Sequence, residues 1–241
     1  MQIAAFAATD TGLARSGTED SHLKGRTVFA VADGLGGHQG GEVASAAAIE
    51  GLASLDGRDF ADPTDAAEAL VAAALDANRA IMEQASKEPE LLGMGTTLTA
   101  AALVGGDRLQ LAHVGDSRAY LLRDGRLEQL TTDHTLVGEL VRRGRLTADQ
   151  AAMHPERSVL TRAVGLDPDL EGDAPDPVGL EPADQVLLCS DGLTETVAEQ
   201  RIAATLAEHG DGDDACRALV AAANQAGGPD NITVVLLRAS A

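Results

Sequence analysis

Thr27-Val28-Phe29-Ala30-Val31-Ala32-Asp33-Gly34 is a short apolar run that stops at an Asp-Gly pair. Its length, its valines and its abrupt end suit a buried strand. Gln185-Val186-Leu187-Leu188-Cys189-Ser190 does the same and stops at Asp191-Gly192. A third run, Ile232 to Leu237, follows Gly227-Gly228-Pro229-Asp230-Asn231. Each of the three strands therefore carries an aspartate at one end: Asp33, Asp191 and Asp230. Where antiparallel strands are neighbours, the end of one and the start of the next share a sheet edge. Three carboxylates can thus converge on one edge.

Further strands are expected at Leu109 to Val114, Ala119 to Arg123 and Arg126 to Leu130. Asp124-Gly125 supplies the positive φ angles of a tight hairpin turn between the last two. The helices are alanine-rich. One is expected over Glu42 to Leu55, and a long one from Asp62-Pro63 to about Ser86. The long helix places Val71, Leu75, Asn78 and Met82 mostly on one face. Thr147-Ala148-Asp149-Gln150 has capping-box spacing and starts a short helix. Thr194 to His209 and Asp213 to Ala226 complete the helices, each followed by glycine. Strands in hairpin-like neighbours, with helices segregated between them, argue for antiparallel sheets covered by helices. No linker, repeat or low-complexity stretch interrupts residues 1–241, so one domain is expected.

Composition narrows the function. The chain has 38 acids against 18 bases, a formal charge of -20, and only two lysines, Lys24 and Lys87. Such a chain lacks the basic field that binds nucleic acid, and four aromatic residues make no base-stacking platform. No apolar run approaches the roughly 20 residues of a membrane span. Met1 to Phe6 lacks the basic and apolar regions of a secretory signal. Cys189 and Cys216 form no metal-type or redox pair, which fits a reducing cytoplasm.

Three converging carboxylates repel one another unless a cation lies between them. Oxygen-only ligands favour hard ions such as Mg²⁺, Mn²⁺ or Ca²⁺. A single Asp-Gly pair is also a common turn. The run Gly34 to Gly41 is glycine-rich, yet no Lys-Ser/Thr follows it, so it is not a P-loop. Gly41-Glu42 entering a helix could still point backbone N–H groups at an anion.

Eight pieces along the chain resemble, in order, the metal-dependent protein phosphatase 2C family in its compact bacterial form. They are Arg15-Ser16-Gly17-Thr18-Glu19-Asp20, Val31 to His38, Gly93 to Thr97, His113 to Arg118, Thr132 to His134, Leu160 to Gly165, Cys189 to Leu193 and Gly228 to Thr233. The resemblance implies an α+β fold, an αββα four-layer sandwich of two antiparallel sheets flanked by helices. It implies two Mn²⁺ or Mg²⁺ ions at one edge. Asp33 would bridge them, with the Gly34 carbonyl on one and Asp191 and Asp230 on the other. Glu19 and Asp20 match the family's acidic pair near the second ion, Asp20 through water. Asp116 and Asp191 are similar to the ligands of a third, weaker site.

The activity so implied is that of a protein serine/threonine phosphatase. A metal-bridging hydroxide would attack phosphoserine or phosphothreonine directly, without a covalent enzyme intermediate. Arg15 matches the family's phosphate-binding arginine, whose planar fork fits two phosphate oxygens. The chain departs from eukaryotic members by carrying Leu35, not histidine, directly after Asp-Gly. His38 leaves three roles open: general acid, a group behind the metals, or packing. Thr18 replaces a more usual asparagine, with little effect expected.

His113 reads as a hydrogen-bonded core histidine and His134 as a turn-ordering one. Gly95-Thr96-Thr97 is expected to shape the core beneath the metals. Arg142, Arg143 and Arg145 form the basic cluster of a segment, about 137–158, that matches the family's flap. That cluster is either a solvated helix end or a contact to substrate. The implied partners are phosphorylated proteins, Ser/Thr kinases and their substrates, with a monomeric enzyme and neither nucleic acid nor membrane involved. Two other classes stay open: a non-catalytic phosphoprotein-binding regulator on the same fold, and a Ca²⁺-binding module.

Overall fold

The run Val28–Ala32 is a strand buried on both faces. Val28, Ala30 and Ala32 pack into one core, while Phe29 and Val31 pack into another. That double burial explains why the run reads as continuously apolar and not alternating. In the computed structural model, which describes residues 1–36 and 40–241, every main strand of the sandwich centre shows this division. His38 lies outside the described residues.

Among the described residues the chain forms β1 (Gln2–Asp10), β2 (Ser21–Lys24), β3 (Val28–Ala32), β4 (Gly34–Leu35), α1 (Gly40–Ala53) and α2 (Pro63–Lys87). It continues through β5 (Gly95–Thr96), β6 (Leu98–Val104), β7 (Arg108–Val114), β8 (Arg118–Arg123), β9 (Arg126–Gln129), α3 (Leu136–Arg142) and α4 (Ala148–Ala152). It ends with β10 (Val178–Gly179), β11 (Gln185–Cys189), α5 (Asp191–Thr194), α6 (Glu199–Glu208), α7 (Gly212–Gln225) and β12 (Ile232–Ser240). One antiparallel sheet has the order β1-β12-β11-β8-β9 and the other β10-β7-β6-β3-β2; β4 and β5 form a separate pair.

The layers follow from the cores. Phe29, Val31, Leu111, Leu121, Leu188 and Val235 fill the space between the sheets. Ala44, Leu52, Leu70 and Ile81 seal α1 and α2 onto β3 and β6. Ile202, Leu206, Leu219 and Ala223 seal α6 and α7 onto β11 and β12. The result is the expected αββα sandwich. Leu187 and Leu188, adjacent in β11, serve different cores, and burying each contributes about 1.5–3 kcal/mol.

The turn and cap chemistry agrees with the sequence. Asp124 and Gly125 both take positive φ, 52° and 76°. Asp62 caps α2 through the Asp65 N–H at 3.0 Å, with Pro63 in the first turn. The Thr147–Gln150 capping box is fully formed. One expectation needs correction. Thr194 to His209 is not one helix: α5 ends at Thr194, and α6 begins at Glu199. The Thr196 hydroxyl turns back to the Gly192 carbonyl at 2.8 Å, and Ala198 is extended at ψ 145°. On α2 the buried stripe is Ala66, Leu70, Ala74, Ala77, Asn78 and Ile81, with Val71, Leu75 and Met82 half-buried beside it.

Register now locates the acids. Cys189 pairs with both Val234 and Arg118, so the end of β11 lies beside the starts of β12 and β8. Asp191 therefore shares an edge with Asp230 and Asp116. In the other sheet Ser21 pairs with Ala32, which makes Asp20 and Asp33 the next pair outward.

Candidate active site

The two edges meet at the same end of the sandwich. The Ser190 hydroxyl, after β11, donates to Asp20 Oδ2 at 2.8 Å and accepts the Thr233 N–H at 2.9 Å. Asp33 is held by its backbone. Its carbonyl accepts the Thr97 N–H and the Thr96 hydroxyl, both at 2.9 Å, and its N–H donates to Thr97 Oγ1 at 2.9 Å. Thr97 Oγ1 in turn lies 2.8 Å from Ser117 Oγ. Gly95-Thr96-Thr97 thus supports Asp33 from beneath, as expected from the sequence.

The carboxyls hold one another up. Burial, then Asp20, Asp191 and Asp116, raises Asp33 well above the usual range. Burial followed by Glu195 and Asp230 pushes Asp191 to about 7. Asp116 is pushed to about 8 by burial, then Asp191 and Asp133. Asp20 rises to about 6, chiefly by burial, although Thr233 and Ser190 oppose it. Its Oδ1 is buried without a hydrogen-bond partner among the described residues. Repelling buried acids with an orphaned oxygen are a donor set suited to hard divalent cations. Among the described residues, no three His, Cys, Asp or Glu side chains already surround a common point as ion ligands.

Glu19 faces the glycines that follow Asp33. A Cβ on Gly41 would meet the Glu19 carboxylate and the Gly34 carbonyl carbon; one on Gly34 would meet the Gly41 and Glu19 carbonyls. Only hydrogen at both positions lets these chains close around the edge. Arg15 Nη2 donates to Asp230 Oδ2 at 2.7 Å, so the expected phosphate fork sits directly beside one of the expected metal acids. Burial opposes its charge, but Asp230, Glu19 and Asp33 hold the guanidinium above its ordinary pKa.

His134, expected to order a turn, braces the Gly115–Asp116 loop, with partners the sequence did not name. The His134 backbone N–H donates to the Gly115 carbonyl at 2.7 Å, and the Gly115 N–H donates back to His134 Nδ1 at 3.1 Å. With Nδ1 accepting, Nε2 carries the proton and donates to Asp173 Oδ2 at 3.1 Å. Arg162 Nη1 donates to Asp173 Oδ1 at 2.9 Å. Gly115 has φ 105°, and a Cβ there would strike the Thr97 side chain. His113 is the buried, hydrogen-bonded histidine that was expected, 2.9 Å from Thr99 Oγ1, with its pKa pushed down to about 4 by burial and then by His134. The Asp-His motif and the arginine after Leu160-Thr161 were visible, but only folding brings Asp173 to them.

The segment carrying α3 and α4 flanks the site across a groove of about 620 Å³. Asp116, Asp191, Arg118, Arg142 and Arg157 are among its lining. Arg118 is gripped by Asp133, with Nε to Oδ1 at 2.9 Å and Nη2 to Oδ2 at 2.7 Å. Ser158 Oγ donates to Glu195 Oε1 at 2.7 Å, tying the end of the segment to the residue after α5. Arg143 pairs with Glu139 on its own helix, and Arg142 Nη1 donates to the Asp133 carbonyl at 3.1 Å.

The αββα sandwich thus gathers acids from both sheets at one edge, beside an arginine. The chain belongs to the protein phosphatase 2C family, whose model matches residues 17–224. It is 45% identical over 234 residues to the serine/threonine protein phosphatase PstP of Mycobacterium tuberculosis. That match covers 95% of this chain but 44% of the relative, so the chain spans less than half of that protein's length. The crystal structure of the Mycobacterium tuberculosis phosphatase PstP/Ppp superposes with a TM-score of 0.92 at 42% identity, covering 99% of both chains. A structure of the PstP catalytic domain in complex with two manganese ions superposes with a TM-score of 0.88 at 39% identity, again over 99% of both chains. Among the described residues, no helix is long and apolar enough to cross a membrane.

Proposed function

We propose that the chain is a Mn²⁺- or Mg²⁺-dependent protein phosphatase that hydrolyses phosphoserine and phosphothreonine in proteins, opposing Ser/Thr kinases. The observation that carries this reading is the gathering of Asp20, Asp33, Asp116 and Asp191, from both sheets, into one set of mutually repelling carboxyls. The two manganese ions of the PstP structure support the same reading. Asp33 and the Gly34 carbonyl would hold one cation, and Asp33, Asp191 and Asp230 the other. Glu19 and Asp20 would stand beside the second, and Asp116 with Asp191 would offer a third, weaker site. When bound, such cations supply positive charge for the phosphate and a water acidified to near-neutral pKa.

The remaining work falls to the chain. Arg15 binds phosphate oxygens as a fork and orients the phosphorus toward the acidic edge. Hydrolysis forms one bond from phosphorus to a water oxygen and breaks the bond to the serine or threonine oxygen, which takes up a proton. The segment around α3 and α4 offers Arg142 and Arg157 to the protein flanking the phosphorylated residue. Cys189 and Cys216 are free and buried, which fits a reducing cytoplasm.

The test is hydrolysis of a phosphothreonine peptide with and without Mn²⁺, for the wild type and Asp33→Asn. Turnover should need the metal and be lost in the variant. Activity that survives chelation, or survives Asp33→Asn, overturns the reading.

A further inference from the structure

Asn231 follows Asp230 and is buried. Its side-chain nitrogen donates to the Thr11 carbonyl at 2.9 Å and to the Gly17 carbonyl at 3.0 Å. Its side-chain oxygen accepts the Glu19 N–H at 2.7 Å. One amide therefore closes both ends of the arc from Thr11 to Gly17 and fixes Glu19, two residues beyond it. Arg15 sits on that arc. The neighbouring Gly228 carbonyl accepts the Leu13 and Ala14 N–H groups at 2.7 and 3.2 Å, so the same short loop also holds the middle of the arc. The Asn231 N–H donates to Asp230 Oδ1 at 2.8 Å, while Arg15 reaches Asp230 Oδ2.

The chemistry singles out asparagine. The position needs two donors on one atom and an acceptor on the other, at the reach of a single methylene. Aspartate keeps the size and the acceptor but sets an anionic oxygen against two carbonyls. Glutamine is one methylene too long.

We propose that Asn231 is a positioning residue for phosphate recognition: it holds the Arg15 arc and Glu19 in fixed relation to Asp230. This rests on the reading of Arg15 as the phosphate-binding group. An arginine on a loosened arc must be ordered each time phosphate binds, which weakens the complex. If Asn231 acts through Arg15, its removal matters only while Arg15 is present.

The experiment is a double-mutant cycle with Asn231→Asp, Arg15→Ala and the pair, at saturating Mn²⁺. It reads the Michaelis constant for a phosphothreonine peptide and inhibition by inorganic phosphate, alongside amide exchange of Glu19 in the wild type. Each single variant should weaken phosphate inhibition about tenfold, and the pair no more than Arg15→Ala alone, because coupled residues are non-additive. The Glu19 amide should be strongly protected. Unchanged phosphate inhibition in Asn231→Asp, full additivity in the pair, or free exchange at Glu19 overturns the proposal. Should Asn231→Asp fail to fold, Asn231→Ser replaces it in the cycle, with the same expectations. If the wild type fails to turn over with Mn²⁺, the phosphatase reading falls, while Glu19 exchange still decides whether the clamp exists.

Discussion

Ser190 and Asp20 join the two sheets: the hydroxyl after β11 donates to the carboxylate before β2 at 2.8 Å. The same hydroxyl accepts the Thr233 N–H, so one oxygen ties three segments together. Ser190→Ala leaves a buried N–H and a second carboxylate oxygen without that partner. We expect a loss of about 1–3 kcal/mol in unfolding free energy by urea titration. An unchanged midpoint and slope would show that the link carries no stability.

The raised carboxyls set a pH dependence. A group whose folded pKa is raised binds more protons when folded, so its stabilisation is complete below its unfolded pKa and is lost as pH rises through the folded one. For Asp191 at about 7 and Asp116 at about 8, that loss extends to about pH 8. His113, pushed down to about 4, works in the opposite direction but only below its ordinary value of 6.5. Chelator-treated protein should therefore lose thermal stability between about pH 6.5 and 8, at about 2–4 °C per kcal/mol. Mn²⁺ should raise Tm most at the upper end, because only the ionised acids attract it. A Tm independent of pH in the chelated protein contradicts this.

His134 bonds both the N–H and the carbonyl of Gly115 and is itself held by Asp173. Replacing it with alanine keeps the backbone N–H to the Gly115 carbonyl but removes the ring's bonds to the Gly115 N–H and to Asp173, which loosens the loop that presents Asp116. Supports of this kind are worth about 10–100-fold in activity or metal affinity. We expect His134→Ala to lower turnover within that range, with a higher Mn²⁺ concentration needed for half-maximal rate. A rate and metal dependence equal to wild type would remove His134 from the site's support.

Gly34→Ala should be more damaging than a substitution at most other glycines. The new methyl would meet two backbone carbonyls, those of Gly41 and Glu19, and neither can rotate away. The expected cost is about 1–3 kcal/mol of stability, as for other overpacked sites, together with weaker Mn²⁺ binding by calorimetry. Gly179→Ala, where a Cβ meets nothing within 4 Å, is the control and should be nearly silent.

Neutralising Arg142, Arg143 and Arg145 together should separate protein from small substrates. Exposed arginines steer large acidic partners more than a compact aryl phosphate. The specificity constant for a phosphoprotein should fall several-fold while that for an aryl phosphate stays level. Equal effects on both would assign the cluster to a solvated helix end.

The readable parts of this chain were those in which neighbouring residues decide the conformation. Asp124-Gly125 makes its own turn, Thr147 and Gln150 cap each other, and the apolar runs ending at Asp33 and Asp191 mark doubly buried strands. The eight ordered motifs then carried the family and the acidic edge. What stayed hidden depends on distant partners. The strand Gln2–Asp10 is half-buried and alanine-rich, and only β12 beside it makes it a strand. The break after Thr194 has no glycine or proline to mark it; the Thr196 hydroxyl supplies the turn. Asp173 lies 39 residues from His134, and Asn231 lies 220 from Thr11, so their roles follow from packing alone.

The pairing of β1 with β12 along nine residues, from Gln2–Ser240 to Asp10–Ile232, bears on how the protein is made. Among the described residues β1 pairs in its sheet with β12 alone, and more than 220 residues are translated between them. Until β12 emerges, β1 has no ladder to join, and Arg15, Glu19 and Asp20 have no Asp230 loop to settle against. Long-range closure of this kind is slow and comes late. The growing chain is therefore expected to gather its acidic edge only once β12 has formed, so that a nascent fragment ending before it lacks the assembled site.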